Sequence, residues 1–183
     1  MEQYTVLFVD DEPFILKALL RLFRGDPIAV VTANSAEEAL ELLKHQPVQL
    51  LVTDNMMPGM TGVELTRKVK DLYPDTLRII LSGQSDMEAV LKAVNEGEAY
   101  RFILKPWADL DLKATVNIAL AQYKLMQDNR RLMAELEAKS ALLKHLQQKH
   151  PDLFREIEPY KTHELTLDDA TAVPLMTPAG EKS

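Results

Sequence analysis

Three carboxylates, a serine and a lysine occupy positions from which they can meet. Asp10 and Asp11 follow Thr5–Val9, Asp54 follows Gln49–Thr53, Ser82 follows Leu77–Leu81, and Lys105 follows Tyr100–Leu104. Each preceding run reads as a buried strand, with the polar residue at its C-terminal end. Open α/β sheets bind ligands at that edge. The carboxylates of Asp10, Asp11 and Asp54 would repel one another if left alone. A hard cation relieves that repulsion, and Mg²⁺ takes one or two carboxylates plus waters and phosphate oxygens. Lys105 adds a mobile positive charge suited to a phosphate. A carboxylate such as Asp54 can be a nucleophile toward phosphorus, giving an acyl phosphate. Phosphoryl transfer needs mainly positioning and charge neutralisation. The Ser82 hydroxyl can donate to a phosphoryl oxygen, and Gly83 lets backbone approach closely.

Five strands and five helices must position these groups. The apolar runs predict strands over 4–9, 28–32, 49–53, 77–81 and 100–104. Helical patterns fall over 13–24, 35–45, 62–72 and 86–96, and a fifth starts near Asp109. Pro13 suits a first helical turn. Ser35 with Glu38 predicts a capping box, and Asp86 and Asp109 suit N-caps. Gly25 and Gly97 suit helix C-termini. Alternating β and α units predict a parallel, doubly wound sheet with right-handed crossovers. The runs 49–53 and 77–81 are nearly all apolar, as strands covered on both faces should be.

The fifth helix is long. From Asp109 to His150 there is no Pro and no Gly, and strong helix formers dominate. Ile118, Leu125, Leu132 and Leu146 fall at d positions of a heptad, with Leu136, Leu143 and Asn129 at a and Lys139 interrupting d. This predicts a coiled-coil-like extension over 124–150 after a domain of residues 1–123. The competing reading is one helix lying on its own domain. Pro151 ends the helix. Residues 151–183 carry seven acidic and three basic residues without periodicity, and are expected to be an irregular acidic tail.

Bulk properties narrow the classes. The 183 residues carry a net charge of −7 and no cysteine. Disulfides, thiol catalysis and cysteine-based zinc sites are therefore excluded. The acidic balance argues against direct nucleic-acid binding. No apolar stretch approaches the ~20 residues of a membrane helix, and Met1-Glu2-Gln3 lacks the start of a signal peptide. The expectation is a cytoplasmic protein that is not in a membrane.

The runs Leu7-Phe8-Val9-Asp10-Asp11-Glu12-Pro13, Val52-Thr53-Asp54-Asn55-Met56-Met57-Pro58-Gly59-Met60-Thr61-Gly62, Ile79-Ile80-Leu81-Ser82-Gly83 and Phe102-Ile103-Leu104-Lys105-Pro106-Trp107 together resemble the receiver domain of two-component response regulators. The resemblance covers residues 4 to about 123, with all four motifs in family order and spacing. It implies a flavodoxin-like sheet of strand order 2-1-3-4-5. It implies a phosphorylation-dependent switch that takes a phosphoryl group on Asp54 from a sensor histidine kinase or phosphotransfer protein. Such a switch catalyses its own phosphorylation and dephosphorylation but is not an enzyme with an external substrate. Asp11, Asp54 and the Met56 backbone carbonyl are implied Mg²⁺ ligands, with Asp10 in the outer shell. Ser82 is implied as the switch hydroxyl, Lys105 as the partner of the phosphoryl group, and Phe102 as the aromatic switch residue. The Lys105–Pro106 bond is usually cis in the family. Met56 and Gln84 occupy positions that tune self-dephosphorylation; Gln can orient a water and Met cannot. Output is expected through the long helix, by partner binding or by a homodimer joined through residues 118–148.

Plainer readings and a rival stand beside this. An Asp at a strand end is often a cap, and Pro58-Gly59 favours a turn whatever the function. Trp107 suits packing, the methionines suit core filling, and the four histidines have no ligand spacing. A metal-dependent phosphatase with an aspartyl nucleophile usually carries a second Asp two residues on, where this chain has Met56. A non-phosphorylated adaptor would not need Asp10, Asp11, Asp54, Ser82 and Lys105 together.

Overall fold

The structure is a computed structural model, and residues 3–151 are described. The acidic tail expected over 151–183 lies outside them from residue 152 onward. Strands β1 (Tyr4–Val9), β2 (Ile28–Ala33), β3 (Leu50–Asp54), β4 (Leu77–Ser82) and β5 (Arg101–Leu104) alternate with helices α1 (Pro13–Leu22), α2 (Ala36–His45), α3 (Gly62–Leu72), α4 (Met87–Asn95) and α5 (Asp109–Lys149). A 3₁₀ turn, Gln84–Asp86, precedes α4. All neighbouring strands are parallel, in the order β2-β1-β3-β4-β5. This is the doubly wound α/β sheet that the sequence predicts.

Alternation along the strands sorts the core into two layers. Val6 and Phe8 of β1, with Leu50, Val52, Ile79 and Leu81, pack under α1 and α5. Leu7 and Val9 face the other way with Leu51, against α2 and α3. Ile80 packs with Val90 and Ala93 of α4. Every residue of β3 and β4 is buried, which is why those two strands lack a polar face. The run at 100–104 behaves otherwise. As the sheet edge, β5 leaves Arg101 and Leu104 exposed, so its apolar composition overstated its burial.

Capping also departs in detail. Ser35 accepts from Glu38 N, but the Glu38 carboxylate takes Asn34 N instead of Ser35 N, so only half of the expected box forms. The complete box is Thr61 with Glu64 at the start of α3. Asp109 lies inside the first turn of α5 instead of capping it.

Buried charge ties the far end of α4 to the sheet. Arg78 on β4 is buried and donates to Glu98 O at 2.7 Å and Gly97 O at 3.4 Å. The Glu98 carboxylate takes Arg67 Nε of α3 at 2.6 Å. Lys70 Nζ donates to Glu96 O at 2.9 Å. These groups satisfy carbonyls that a helix C-terminus leaves open.

Gly62 brings α3 against the end of β3. A Cβ there would collide with the Asp54 carbonyl oxygen and lie 2.9 Å from Asn55 Cα, both backbone. Gly62→Ala is therefore expected to destabilise the protein by about 3 kcal/mol through overpacking. Urea unfolding of both proteins checks this; a shift below about 0.5 kcal/mol, the range of an ordinary surface change, contradicts it.

The chain divides into two compact units, residues 1–131 and 132 onward. In the first, α5 buries Leu112, Val116, Ala119 and Leu120 in the core, and leaves Ile118 and Leu125 exposed. In the second, the described helical turns expose Leu132, Met133, Leu136, Leu142, Leu143 and Leu146. Met56 is exposed as well, so the methionines are not all core filler.

Candidate functional site

The strand ends place the acids and the lysine together. Asp54 is the last residue of β3, and Asp10 follows β1, its N–H bonded to Ala33 O at 3.2 Å. Lys105 follows β5, where its N–H donates to Ser82 O at 2.8 Å. Its ammonium lies 2.6 Å from Asp54 Oδ1 and 3.2 Å from Asp10 Oδ2. The remaining carboxylate oxygens are held by backbone: Glu12 N donates to Asp10 Oδ1 at 2.9 Å, and Met56 N to Asp54 Oδ2 at 3.0 Å. The Lys105–Pro106 peptide is cis. Beyond it the Trp107 ring lies 5.9 Å from Lys105 Nζ, within cation–π range.

Burial raises the Asp10 carboxyl above its ordinary 3.8, and the bond from Glu12 and the charge of Lys105 only partly offset this. Burial alone would lower the Lys105 ammonium. The hydrogen bond to Asp54 and the fields of Asp10 and Asp54 outweigh it, so Lys105 is raised and held charged. The sign of the Asp10 effect is testable. A folded carboxyl that holds its proton more tightly than the unfolded chain favours folding below 3.8 and loses that contribution as pH rises through the native value. In metal-free buffer, the stability of Asp10→Asn relative to wild type is therefore expected to increase with pH across that window. Urea midpoints at a series of pH values check this, and a difference that shrinks with rising pH contradicts it.

Ser82 is fully buried, and its hydroxyl is turned to Asp86 Oδ2 at 2.9 Å and Gly83 O at 3.0 Å. Asn55 Nδ2 donates to the same Asp86 oxygen at 2.6 Å, while its Oδ1 accepts from Val63 N at 3.2 Å. Asp86 was expected as an N-cap. Its side chain makes no capping bond to α4, because the intervening 3₁₀ turn aims it back at the strand ends. Asp86 and Asn55 are thus site residues that the motif reading passed over. A local Asp-before-helix pattern hid the first, and adjacency to Asp54 was the only signal for the second.

The other expected residues lie as follows. Asp11 is exposed and makes no hydrogen bond or ion pair among the described residues. Phe102 is half-buried, packed on the cluster of Ile80, Val90, Ala93 and Ala99. Gln84 lies in the 3₁₀ turn.

No group of three or more His, Cys, Asp or Glu side chains stands at metal-holding spacing among the described residues. Lys105 supplies the positive charge against Asp10 and Asp54 instead. The donor set nevertheless suits a hard cation. Asp11 and Asp54 offer carboxylate oxygens, the Met56 carbonyl accepts no hydrogen bond among the described residues, and Mg²⁺ keeps several waters and needs few protein ligands.

A parallel sheet of order 2-1-3-4-5, with acids and a lysine at its carboxyl edge, defines the flavodoxin-like class of doubly wound domains with a polar site at the strand ends. The sequence model of the response regulator receiver domain matches residues 6–117, and the chain belongs to that family. It is similar to the hydrogenase transcriptional regulatory protein HoxA of Cupriavidus necator, 41% identical over 143 residues, covering 78% of this chain and 30% of that one. It is 31% identical to the DNA-binding transcriptional regulator NtrC of Escherichia coli K12 over 130 residues, covering 71% and 28%. The chain thus spans less than a third of the length of these relatives. Among solved structures, the signal receiver domain of an HD domain-containing protein from Pseudomonas fluorescens Pf-5 is 34% identical with a TM-score of 0.66, covering 70% of this chain and 94% of that one.

Proposed function

We propose that the protein is a phosphorylation-dependent switch whose acceptor is Asp54. The observation that carries this is the Asp54 carboxylate, held at the end of β3 by Met56 N and faced by the Lys105 ammonium at 2.6 Å. Receiver domains are signalling switches more than catalysts. The donor would be a phosphohistidine of a sensor histidine kinase or phosphotransfer protein. An Asp54 oxygen forms the new O–P bond as the P–N bond to the donor imidazole breaks, and the imidazole leaves with the bond electrons. Lys105 stands where it can follow the charge from carboxylate to phosphoryl oxygens, and Asp10 keeps that ammonium in place. Asp11, Asp54 and the Met56 carbonyl would hold Mg²⁺, with Asp10 behind them. The cation would neutralise phosphoryl charge.

Output would run through α5. Residues 1–123 would form the phosphoacceptor unit, 124–150 a helical extension and 151–183 a tail. The exposed leucines of α5 favour a homodimer through residues 118–148, with Asn129 at an a position favouring a parallel pair in register. Lys139, which interrupts d, is paired to Glu135 at 2.7 Å, so its charge enters the seam partly answered. No described helix is long and apolar enough to cross a membrane, and the reading invokes neither membrane nor direct nucleic-acid contact by this chain; a cytoplasmic location fits a kinase partner. Incubation with acetyl phosphate and Mg²⁺ tests the acceptor role. A hydroxylamine-labile label is expected, and its absence contradicts the reading.

A further inference from the structure

Three neighbours attract the Lys105 ammonium among the described residues. Asp54 Oδ1 lies at 2.6 Å, Asp10 Oδ2 at 3.2 Å, and the centre of the Trp107 ring at 5.9 Å. The first two are acids on which Mg²⁺ would also draw. A divalent cation beside Asp54 repels the ammonium and shares the carboxylate charge that now holds it. The Lys105 stem is flexible, and 26% of the side chain is exposed, so water is the alternative place for the charge. The ring is the one attractive neighbour whose hold a metal does not weaken. Its 5.9 Å separation stands at the outer limit of cation–π contact, about 6 Å. The ring therefore adds little while the carboxylates hold the lysine, and adds more once the ammonium closes on it. Trp107, the chain's single tryptophan, packs on the core cluster under α1 and α5. It also borders a cavity of about 290 Å³ lined by Ala18, Leu19, Arg21, Leu22 and Asp109, which leaves the indole room to tilt.

We propose that Trp107 is a positioning residue for Lys105. Its ring takes up the ammonium when Mg²⁺ claims the Asp54 and Asp10 carboxylates, and so keeps that charge beside Asp54 for an incoming phosphoryl group. The inference rests on the reading of Asp11, Asp54 and the Met56 carbonyl as Mg²⁺ ligands. A contact that strengthens only when the metal is bound must raise metal affinity by the same factor. One cation–π pair sets that factor at about threefold. Packing, the plainer role for a half-buried tryptophan, would stabilise the fold with and without Mg²⁺ alike and would not depend on Lys105.

The experiment is an NMR titration of the intact chain with Mg²⁺, with two readouts. The first is the shift of the Lys105 ε-methylene protons, which an aromatic face moves upfield as it approaches. The upfield displacement of wild type relative to Trp107→Leu is expected to grow as Mg²⁺ saturates the site. A displacement that stays constant or shrinks overturns the proposal. The second is Mg²⁺ affinity, read from backbone amide shifts. Trp107→Leu is expected to bind Mg²⁺ about threefold more weakly than wild type. Trp107→Phe is expected to recover most of that loss, because a ring remains. The loss is also expected to vanish when Lys105→Met is present in both proteins. Equal affinity, an equal loss in Trp107→Phe, or a loss that survives Lys105→Met refutes the role, the last two results marking packing instead. If Trp107→Leu does not fold, Trp107→Met, which also lacks a ring, is read in the same way. Failure of wild type itself to bind Mg²⁺ refutes the metal reading, and the proposal with it. That result is distinct from Mg²⁺ binding that ignores Trp107.

Discussion

Asp54→Asn is expected to abolish binding of beryllium fluoride with Mg²⁺, a loss of at least a hundredfold on the scale of tight anion mimics. The mimic bonds a carboxylate oxygen, and an amide offers no equivalent anion. The substitution is otherwise mild. Asn can still accept from Met56 N, now held at 3.0 Å by Oδ2, and its size suits the buried strand end. Lys105 keeps Asp10 as a partner at 3.2 Å. Loss of binding in a variant that melts within a few degrees of wild type therefore reports the chemistry of the site. Retained binding would mean that another carboxylate takes the ligand, Asp11 being the exposed candidate.

Leu132→Lys/Leu136→Lys is expected to convert a dimer into a monomer at micromolar concentration. Both leucines are more than half exposed on α5, together with Leu125, Leu142, Leu143 and, less so, Leu146. Pairing two such helices removes this surface from water at about 25 cal/mol per Å². Two lysines per chain in the seam would forfeit that gain and set four like charges together, where Lys139 already limits the seam. The sizes involved predict several kcal/mol, or a hundredfold or more in dissociation constant. Sedimentation of both proteins, with and without beryllium fluoride, checks this. If wild type is a monomer throughout, the leucines serve a different partner.

Much of the site was legible because its chemistry sits at ends of strands whose composition is unambiguous. β3 and β4 are covered on both faces, so their runs read as strands, and the polar residue that stops each run is the one at the carboxyl edge. Asp10, Asp54 and Lys105 meet for that reason. The sequence said less about residues whose local pattern has a commoner meaning. Asp86 before a helix reads as a cap, yet a single 3₁₀ turn redirects it to Ser82 and Asn55. Nothing in the sequence marks Arg78 and Glu98 as buried, because burial of an ion depends on partners from other elements, here Arg67 and the carbonyls after α4. β5 has the composition of a central strand, and only the strand order makes it an edge. Glu38 chose Asn34 N over Ser35 N, a choice between adjacent donors that spacing does not decide.

The most direct measurement of the central claim is the position of the label. Wild-type protein is incubated with acetyl phosphate and Mg²⁺, trapped by borohydride reduction of the acyl phosphate, digested and sequenced by mass spectrometry. The predicted result is a single reduced residue at Asp54, with Asp10 and Asp11 intact. Reduction at another carboxylate, or none while a known receiver domain labels under the same conditions, would contradict the assignment of Asp54 as the acceptor.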